Sequence, residues 1–599
     1  MSSRRTPRYS PRHGKDSAPI FPRRAQRPIT PAPDNPAPED TSSATPKSQN
    51  ASMARSSFIM FLGTLVSRIL GMVRSPIMLG AVVGLSTPVA NSFDIANNLP
   101  NLLYGILAGG LVNAVLVPAI VKATEKGRRE GEVFINKLLT FSIVVLGAIT
   151  AVITLAAPLV VKAYAAQMSP EWYHLTVVFA YWCLPQIFFY SMYAILGQIL
   201  NAYEKFGPYM WSPALNNVIA IIGLVILLFI YGPEDSLHPS AAADWAGMRT
   251  VILAGFSTLG IAMQALILLI PMYRLGIRYK PDFRWRGSGL ADVGKTGSWV
   301  LALVLAGMIP VAVLLNVAVG ATERALATGI PTTEVAGNFT YNVAYALATL
   351  PNSLITVSIL TAIFPRMARA ATRNNYDALR SDTSLALRTI ITFNAIATSG
   401  LIVLSVPFAR IMAPASQPAE TWALAKVLIA LSLGIIFIAI HSATTKVFYA
   451  LEDTRSAFLT SAPVFALQIV GYLALNTTDP RWTVVGLALV NSLTNMLIAV
   501  IQYALIRKRI GGLNSVKLLK THLAIIGVGV LTGVVGWGAM QVFGYDAAAA
   551  SVTVAVTSSL VVGVLMVVVY IVLLKLFRLP EAEILMAPVR KIFGKLRRR

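Results

Sequence analysis

Two arginines, Arg68 and Arg74, stand six residues apart inside an otherwise apolar stretch over residues 57–83. A guanidinium in hydrocarbon costs at least about 2.5–3.5 kcal/mol, so each must face protein or a water-filled cavity rather than lipid. Six residues turn a helix through about 600°, which sets the two side chains about 120° apart and roughly 9 Å along the axis. Both can then reach one wide cavity, with Ser67 beside them, and fixed cations so placed suit an anionic cargo. The plainer alternative has Arg74 snorkelling to an interface and Arg68 paired with a neighbouring carboxylate such as Asp94.

The next apolar stretch carries Asn91, Asp94, Asn97, Asn98 and Asn101 around Pro100, followed by Gly105, Gly109 and Gly110. Asp94, Asn98 and Asn101 share one helix face by their spacing. Their amides and carboxylate either line a cavity or bond across helices as packing glue. Pro100 removes a helix hydrogen bond and Gly105 permits close packing, so this helix is expected to bend or hinge there, as is a later one at Pro351. That later stretch has Asn338, Asn342 and Thr349 but no charge between Glu334 and Arg366. His441 reads as a packing residue and Lys446 lies close enough to an interface to snorkel. Gln186, Gln198, Asn216 and Asn217 add polar groups without forming a constellation.

Signals for catalysis are weak. Gly289–Thr296 matches G-x4-G-K-[ST], but a phosphate-binding loop needs a preceding buried strand, and here the basic Arg284-Trp285-Arg286 precedes it. Glycines at a helix entry account for it better. Neither a zinc H-E-x-x-H nor a G-x-S-x-G nucleophile elbow is present. A membrane glycosyltransferase would want an acidic pair and a sizeable aqueous domain, and the loops are short. No cofactor signature appears, and transport would draw on a Na+ or H+ gradient or on the membrane potential.

The elements that must position these residues are set by composition. Of 599 residues, 55% are hydrophobic and only 13% charged, about half the charge of a soluble domain. Fourteen apolar stretches of roughly twenty residues or more recur between 57 and 577, which predicts an all-α polytopic membrane protein of about fourteen spans. Net charge is +24, which raises nucleic-acid binding. The charges argue against it, because they sit in the tails and in alternate loops: Lys122 to Arg129, Arg274 to Arg286, Arg366 to Arg380 and Arg507 to Lys520. By the positive-inside rule both termini are then cytoplasmic, which requires an even number of spans. The single Cys183 lies in an apolar run and excludes a disulfide framework.

The spans repeat. Leu99-Pro100-Asn101 returns as Leu350-Pro351-Asn352, and Ala202-Tyr203-Glu204-Lys205 as Ala450-Leu451-Glu452-Asp453, at offsets of 251 and 248. One period holds six helices, so the copies share an orientation around a central cavity. The expected organisation is a basic disordered tail over 1–55, six-helix bundles over 56–290 and 291–510, an appended helix pair over 511–580 and a basic segment over 581–599. Ile584 to Arg599 suits an anionic membrane surface. The tails are also candidates for docking cell-wall synthesis or division proteins.

Ser67-Arg68-Ile69-Leu70-Gly71-Met72-Val73-Arg74 resembles the S-R-x-x-G-x-x-R signature of the MurJ (MviN) lipid II flippases, and the Leu-Pro-Asn of the second span resembles that family's L-P-N. Gly197-Gln198-Ile199-Leu200-Asn201-Ala202 and Phe448-Tyr449-Ala450-Leu451-Glu452-Asp453-Thr454 are similar to its actinobacterial branch. The resemblance covers residues 55–510. It implies the fourteen-helix fold of the multidrug/oligosaccharidyl-lipid/polysaccharide exporter superfamily. It also implies a cationic cavity that accepts the pyrophosphate and sugar headgroup of lipid II and carries it across the bacterial plasma membrane by alternating access. Arg68, Arg74 and Ser67 match the family's headgroup positions. Its second-span aspartate falls at Asn91, with Asp94 one turn on, and its second-span arginine at Tyr104. Its eighth-span arginine and glutamate fall at Ala346 and Thr349. The implied substrate set is therefore Ser67, Arg68, Arg74, Asp94, Asn98 and Asn101, with Lys446 as a substitute cation. Exporters of another polyprenyl-linked saccharide, and a non-transporting membrane scaffold for cell-wall enzymes, are the competing readings. A cationic-drug exporter would want carboxylates where Arg68 and Arg74 stand.

Overall fold

The computed structural model describes residues 62–108, 128–284, 298–512 and 515–583, all within one compact unit, and every regular element among them is helical. Both tails, Gly109, Gly110 and the Gly289–Thr296 segment lie outside the described residues. Twelve helices are long and apolar enough to cross a membrane. They are α1 (Leu62–Val83), α3 (Arg129–Leu155), α4 (Pro170–Ala202), α5 (Phe206–Tyr231), α6 (Met248–Arg274), α7 (Leu301–Thr328), α8 (Thr332–Thr372), α9 (Tyr376–Val403), α11 (Thr454–Thr477), α12 (Pro480–Ile510), α13 (Leu519–Phe543) and α14 (Val552–Leu576). A thirteenth, α10, is the pair Pro418–Ser432 and Ile435–Ala450, bent by 42°. The remaining expected span is α2, Pro88–Ala108, whose aspartate and four asparagines leave it too polar to qualify on apolarity alone.

That polarity is affordable because α2 is an interior helix. Asn91, Ser92 and Asp94 are almost wholly buried, as are Phe93, Ile95 and Leu99. The largest core cluster joins α2 to α4, α7, α8, α10 and α12, through side chains such as Phe93, Phe179, Val317, Phe339, Leu424 and Leu487.

Element boundaries repeat as closely as the short sequence matches do. The helix from Arg128 to Leu155 recurs as Tyr376–Val403, the short helix Ala157–Tyr164 as Ser405–Met412, and the start of α5 at Phe206 as that of α11 at Thr454. Each copy lies 248 residues on (128 to 376, 157 to 405, 206 to 454). The turns agree as well: Glu204 and Glu452 both take left-handed backbone, at φ 58° and 57°. In each turn the next amide reaches back to close the helix, Lys205 to Leu200 O at 2.8 Å and Asp453 to Phe448 O at 2.9 Å.

Two spans contain a π-helical turn among the described residues. In α1, Val73–Leu79 is a π-helix containing Pro76, and in α8 Asn352–Thr356 is a π-helix that directly follows Pro351. Proline frees a carbonyl one turn back, and a wider turn absorbs the mismatch. Pro100 differs, since α2 stays α-helical through it to Ala108. Gly105 beyond it faces α7, where a Cβ would lie 3.9 Å from Met308 Cε.

Close packing of α5 on α6 rests on Gly260, where a Cβ would stand 2.8 Å from the backbone oxygen of Asn216. A backbone atom cannot swing aside, so Gly260→Ala is expected to cost about 1–3 kcal/mol and lower the thermal midpoint in detergent. Gly147→Ala on α3, with no atom within 4 Å of its Cβ, should leave the midpoint unchanged.

Candidate functional site

The site begins with one buried carboxylate. Asp94, 6% exposed, projects from α2 toward α8. Its Oδ1 accepts from Asn98 Nδ2 at 2.7 Å, one helical turn on. Its Oδ2 accepts from Asn338 Nδ2 and Asn342 Nδ2, each at 2.5 Å. These two asparagines are themselves one turn apart, so two helices present matched ladders and the carboxylate sits between them. A charge taken out of water needs such donors or it is not tolerated.

A second layer of bonds lies beyond Asp94, on the face away from the basic loops. Asn91 donates to Thr322 Oγ1 of α7 at 3.0 Å and accepts from the Phe339 amide at 3.2 Å. Gly337 makes room for this, since a Cβ there would meet Asn91 Oδ1 at 2.4 Å. Thr340 donates to Leu85 O at 3.0 Å. Glu420, fully buried at the start of α10, accepts from the Ser86 amide at 3.1 Å and the Gln417 amide at 2.9 Å. The α1–α2 loop, α7, α8 and α10 are thereby stitched together at that face.

On the other side of Asp94 a cavity of about 300 Å3 opens between α1, α2 and α8. Arg68, Ser75, Asp94, Asn98, Asn342 and Ala346 are among its walls. Arg68 donates from Nη1 to Ser353 Oγ at 3.0 Å, which joins α1 to α8 just past Pro351. No ion pair links Arg68 to Asp94 among the described residues: the carboxylate is held by amides and the guanidinium by a hydroxyl.

The structure brings Arg68, Asp94 and Asn98 to one cavity and sends the other expected residues elsewhere. Arg74 lies in the π-helix and falls within electrostatic range of Tyr190 on α4, whose ring stacks on Tyr104 at 5.8 Å. The Ser67 carbonyl accepts from Asn217 Nδ2 at 2.9 Å, which fastens α1 to α5. Asn101 is exposed, whereas Asn97 accepts from Ser257 Oγ at 2.7 Å and ties α2 to α6. The Lys446 ammonium stands over the rings of Phe364 and Tyr449, 5.3 and 5.8 Å from their centroids. Thr349 bonds its own helix at Tyr345 O, 2.8 Å away. Ser353 and Glu420 enter the site without having been singled out in the sequence. For Glu420 the available signal is Gln417 three residues earlier, where a helix N-cap forms.

Comparison with known proteins gives a consistent picture. The family described as lipid II flippase MurJ matches residues 81–556. A probable lipid II flippase MurJ of Synechocystis sp. is 25% identical over 549 residues, covering 89% of this chain and 96% of its own. One from Rickettsia prowazekii is 26% identical over 408 residues, covering 67% and 74%. Among solved structures, a lipid II flippase MurJ in an inward closed conformation superposes at TM-score 0.65 and 20% identity, over 87% of this chain and 98% of that one. An inward-facing multidrug resistance MATE transporter of the MOP superfamily superposes at 0.53 and 18% identity, over 76% and 96%.

The two arms of the site should respond differently to substitution. Asn338→Leu or Asn342→Leu withdraws one donor from the buried carboxylate and should cost about 1–3 kcal/mol, read as a lower thermal midpoint. Arg68→Gln, which releases only a hydroxyl contact, should leave the midpoint within error of the parent.

Proposed function

Because the chain belongs to the lipid II flippase MurJ family, we propose that it carries lipid II from the inner to the outer leaflet of the bacterial plasma membrane, with Arg68 as the anchor of the pyrophosphate. The observation that carries this reading is the state of Arg68: a guanidinium on the wall of an intramembrane cavity, bonded to one hydroxyl and to no carboxylate among the described residues. Guanidinium presents a planar fork of donors that matches phosphate oxygens, and a cation left unpaired in low dielectric attracts an anion strongly. No covalent bond is made or broken; the work is binding and movement.

The basic loops place the cavity mouth. By the positive-inside rule they lie in the cytoplasm with both termini, so the stitched face formed by Asn91, Thr340 and Glu420 is the outer one. The cavity, about 300 Å3, has room for a pyrophosphate but not for a disaccharide-peptide headgroup. Loading therefore requires α1 and α8 to part, and their π-helices at Val73–Leu79 and Asn352–Thr356 are the places where they can bend. Release on the outer side requires the Asp94 cluster to come apart. The halves 56–290 and 291–510 move against each other in this scheme, and a Na+ or H+ gradient or the membrane potential supplies the drive.

The test is depletion of the native protein with complementation by variants while lipid II exposed at the outer leaflet is assayed. Arg68→Ala should reach normal abundance and thermal stability yet fail to restore exposure, and Arg68→Lys should restore part of it. Arg74→Ala should have the smaller effect, because Arg74 is not among the residues that wall the cavity. Normal exposure with Arg68→Ala would remove the anchor role, and depletion without internal accumulation of lipid II would remove the flippase reading for this chain.

A further inference from the structure

The face of α9 that carries α13 has a counterpart on α3 on which no equivalent helix packs among the described residues. On α9, α13 approaches through glycine: a Cβ at Gly529 would stand 3.3 Å from Ser399 Oγ and 3.4 Å from Ala395 Cβ, and Ser399 Oγ donates to Gly529 O at 2.7 Å. Gly533 continues the contact one turn on, and Ile525 and Val528 fill the space beside Ile391, Ala395 and Ile436 one turn back.

The constant displacement of 248 residues maps these positions onto the first half. Ile391, Ala395 and Ser399 become Ile143, Gly147 and Ala151 on α3, and Ile436 becomes Phe188 on α4. The small-residue stripe is preserved, but among the described residues no helix covers it. Ile391 is 0% exposed and Ile143 36%; Val403 is 4% exposed and Leu155 78%. A Cβ on Gly147 would have no neighbour within 4 Å. Where Ile525 and Val528 sit in the second half, the first half has an apolar groove of about 620 Å3 walled by Ile143, Phe188, Met192 and Leu269.

Lipid chains wet any apolar face, but they gain nothing from a stripe of glycine and alanine. Helices do, because in hydrocarbon they associate by close backbone approach at small residues rather than by a hydrophobic drive. The second half of this chain uses the corresponding stripe in that way. We propose that the Ile143–Gly147–Ala151 face of α3 docks a transmembrane helix of another membrane protein. The partner helix carries two branched apolar residues ahead of a pair of small residues four apart, in the pattern that α13 presents with Ile525, Val528, Gly529 and Gly533.

Photocrosslinking of the full chain in its native membrane tests this. Benzoylphenylalanine replaces Val144 or Leu155 on the proposed face, and Val568 on the lipid-facing side of α14 as control. The expected result is a protein adduct from both α3 positions and not from Val568, with crosslinked peptides mapping to a transmembrane segment of that pattern. Gly147→Leu should abolish the adduct while the purified protein keeps its thermal midpoint. Phospholipid adducts alone, self-adducts, the same protein adducts at Val568, or an adduct that survives Gly147→Leu would each overturn the assignment.

Discussion

A carboxylate buried in the middle of a membrane bundle is the constraint on which the rest of this molecule turns. Asp94 cannot face lipid or stand bare, so α2 is forced inward and α8 must bring amides to meet it. Asn98 comes from the same helix, whereas Asn338 and Asn342 come from the other half of the chain. Both oxygens are thus occupied, and the register between α2 and α8 is set to within one helical turn. The bonds from the Phe339 amide to Asn91 and from Thr340 to Leu85 O join the same segments at that face and share that register.

The same arrangement decides what kind of anion site the cavity can offer. A carboxylate free to swing toward Arg68 would neutralise it, and a paired arginine holds a phosphate poorly because the pair must first be broken. Amides satisfy Asp94 without adding positive charge, so they remove the competitor while leaving the guanidinium available. Asp94 thus lines the cavity with both oxygens held by amides rather than by the guanidinium. Its place among the residues expected to touch the headgroup came from the shared face with Asn98, which is real, but that face looks at Asn338 and Asn342 as well as at the cavity.

Much of this architecture was legible in sequence, and the losses have physical causes. Of the fourteen expected spans, twelve qualify by length and apolarity and a thirteenth as a bent pair, because the bilayer enforces segment length. The repeat appeared in two short echoes, one of three residues and one of four, and the structure shows its reason at Glu204 and Glu452, two non-glycine residues in the same left-handed turn. Arg68 was legible because an arginine in hydrocarbon is expensive. Arg74 was legible as a residue that must be accommodated, but not as to where: the rule of 100° per residue fails once Val73–Leu79 winds as a π-helix. The partners of Asp94 could not be chosen in advance, since Arg68 and any of the nearby amides offered plausible chemistry and only the α2–α8 register selects among them.

The repeat also explains why the two halves do not look alike. An identical pair of bundles would flex identically, whereas here each half places its wide turn differently: α8 winds as a π-helix just after Pro351, while α2 runs straight through Pro100 and the irregular turn of the first half is in α1, beside Arg74. The hairpin α13–α14 adds to the asymmetry, for it rests on α9 and on the short helix Ser405–Met412 and buries surfaces whose first-half counterparts have no such cover among the described residues. α13 packs on α9 through Gly529 and Gly533, and among the described residues no helix of this chain takes the corresponding place on α3. Across the seam between the halves, Arg68 meets Ser353, and Asp94 meets Asn338 and Asn342.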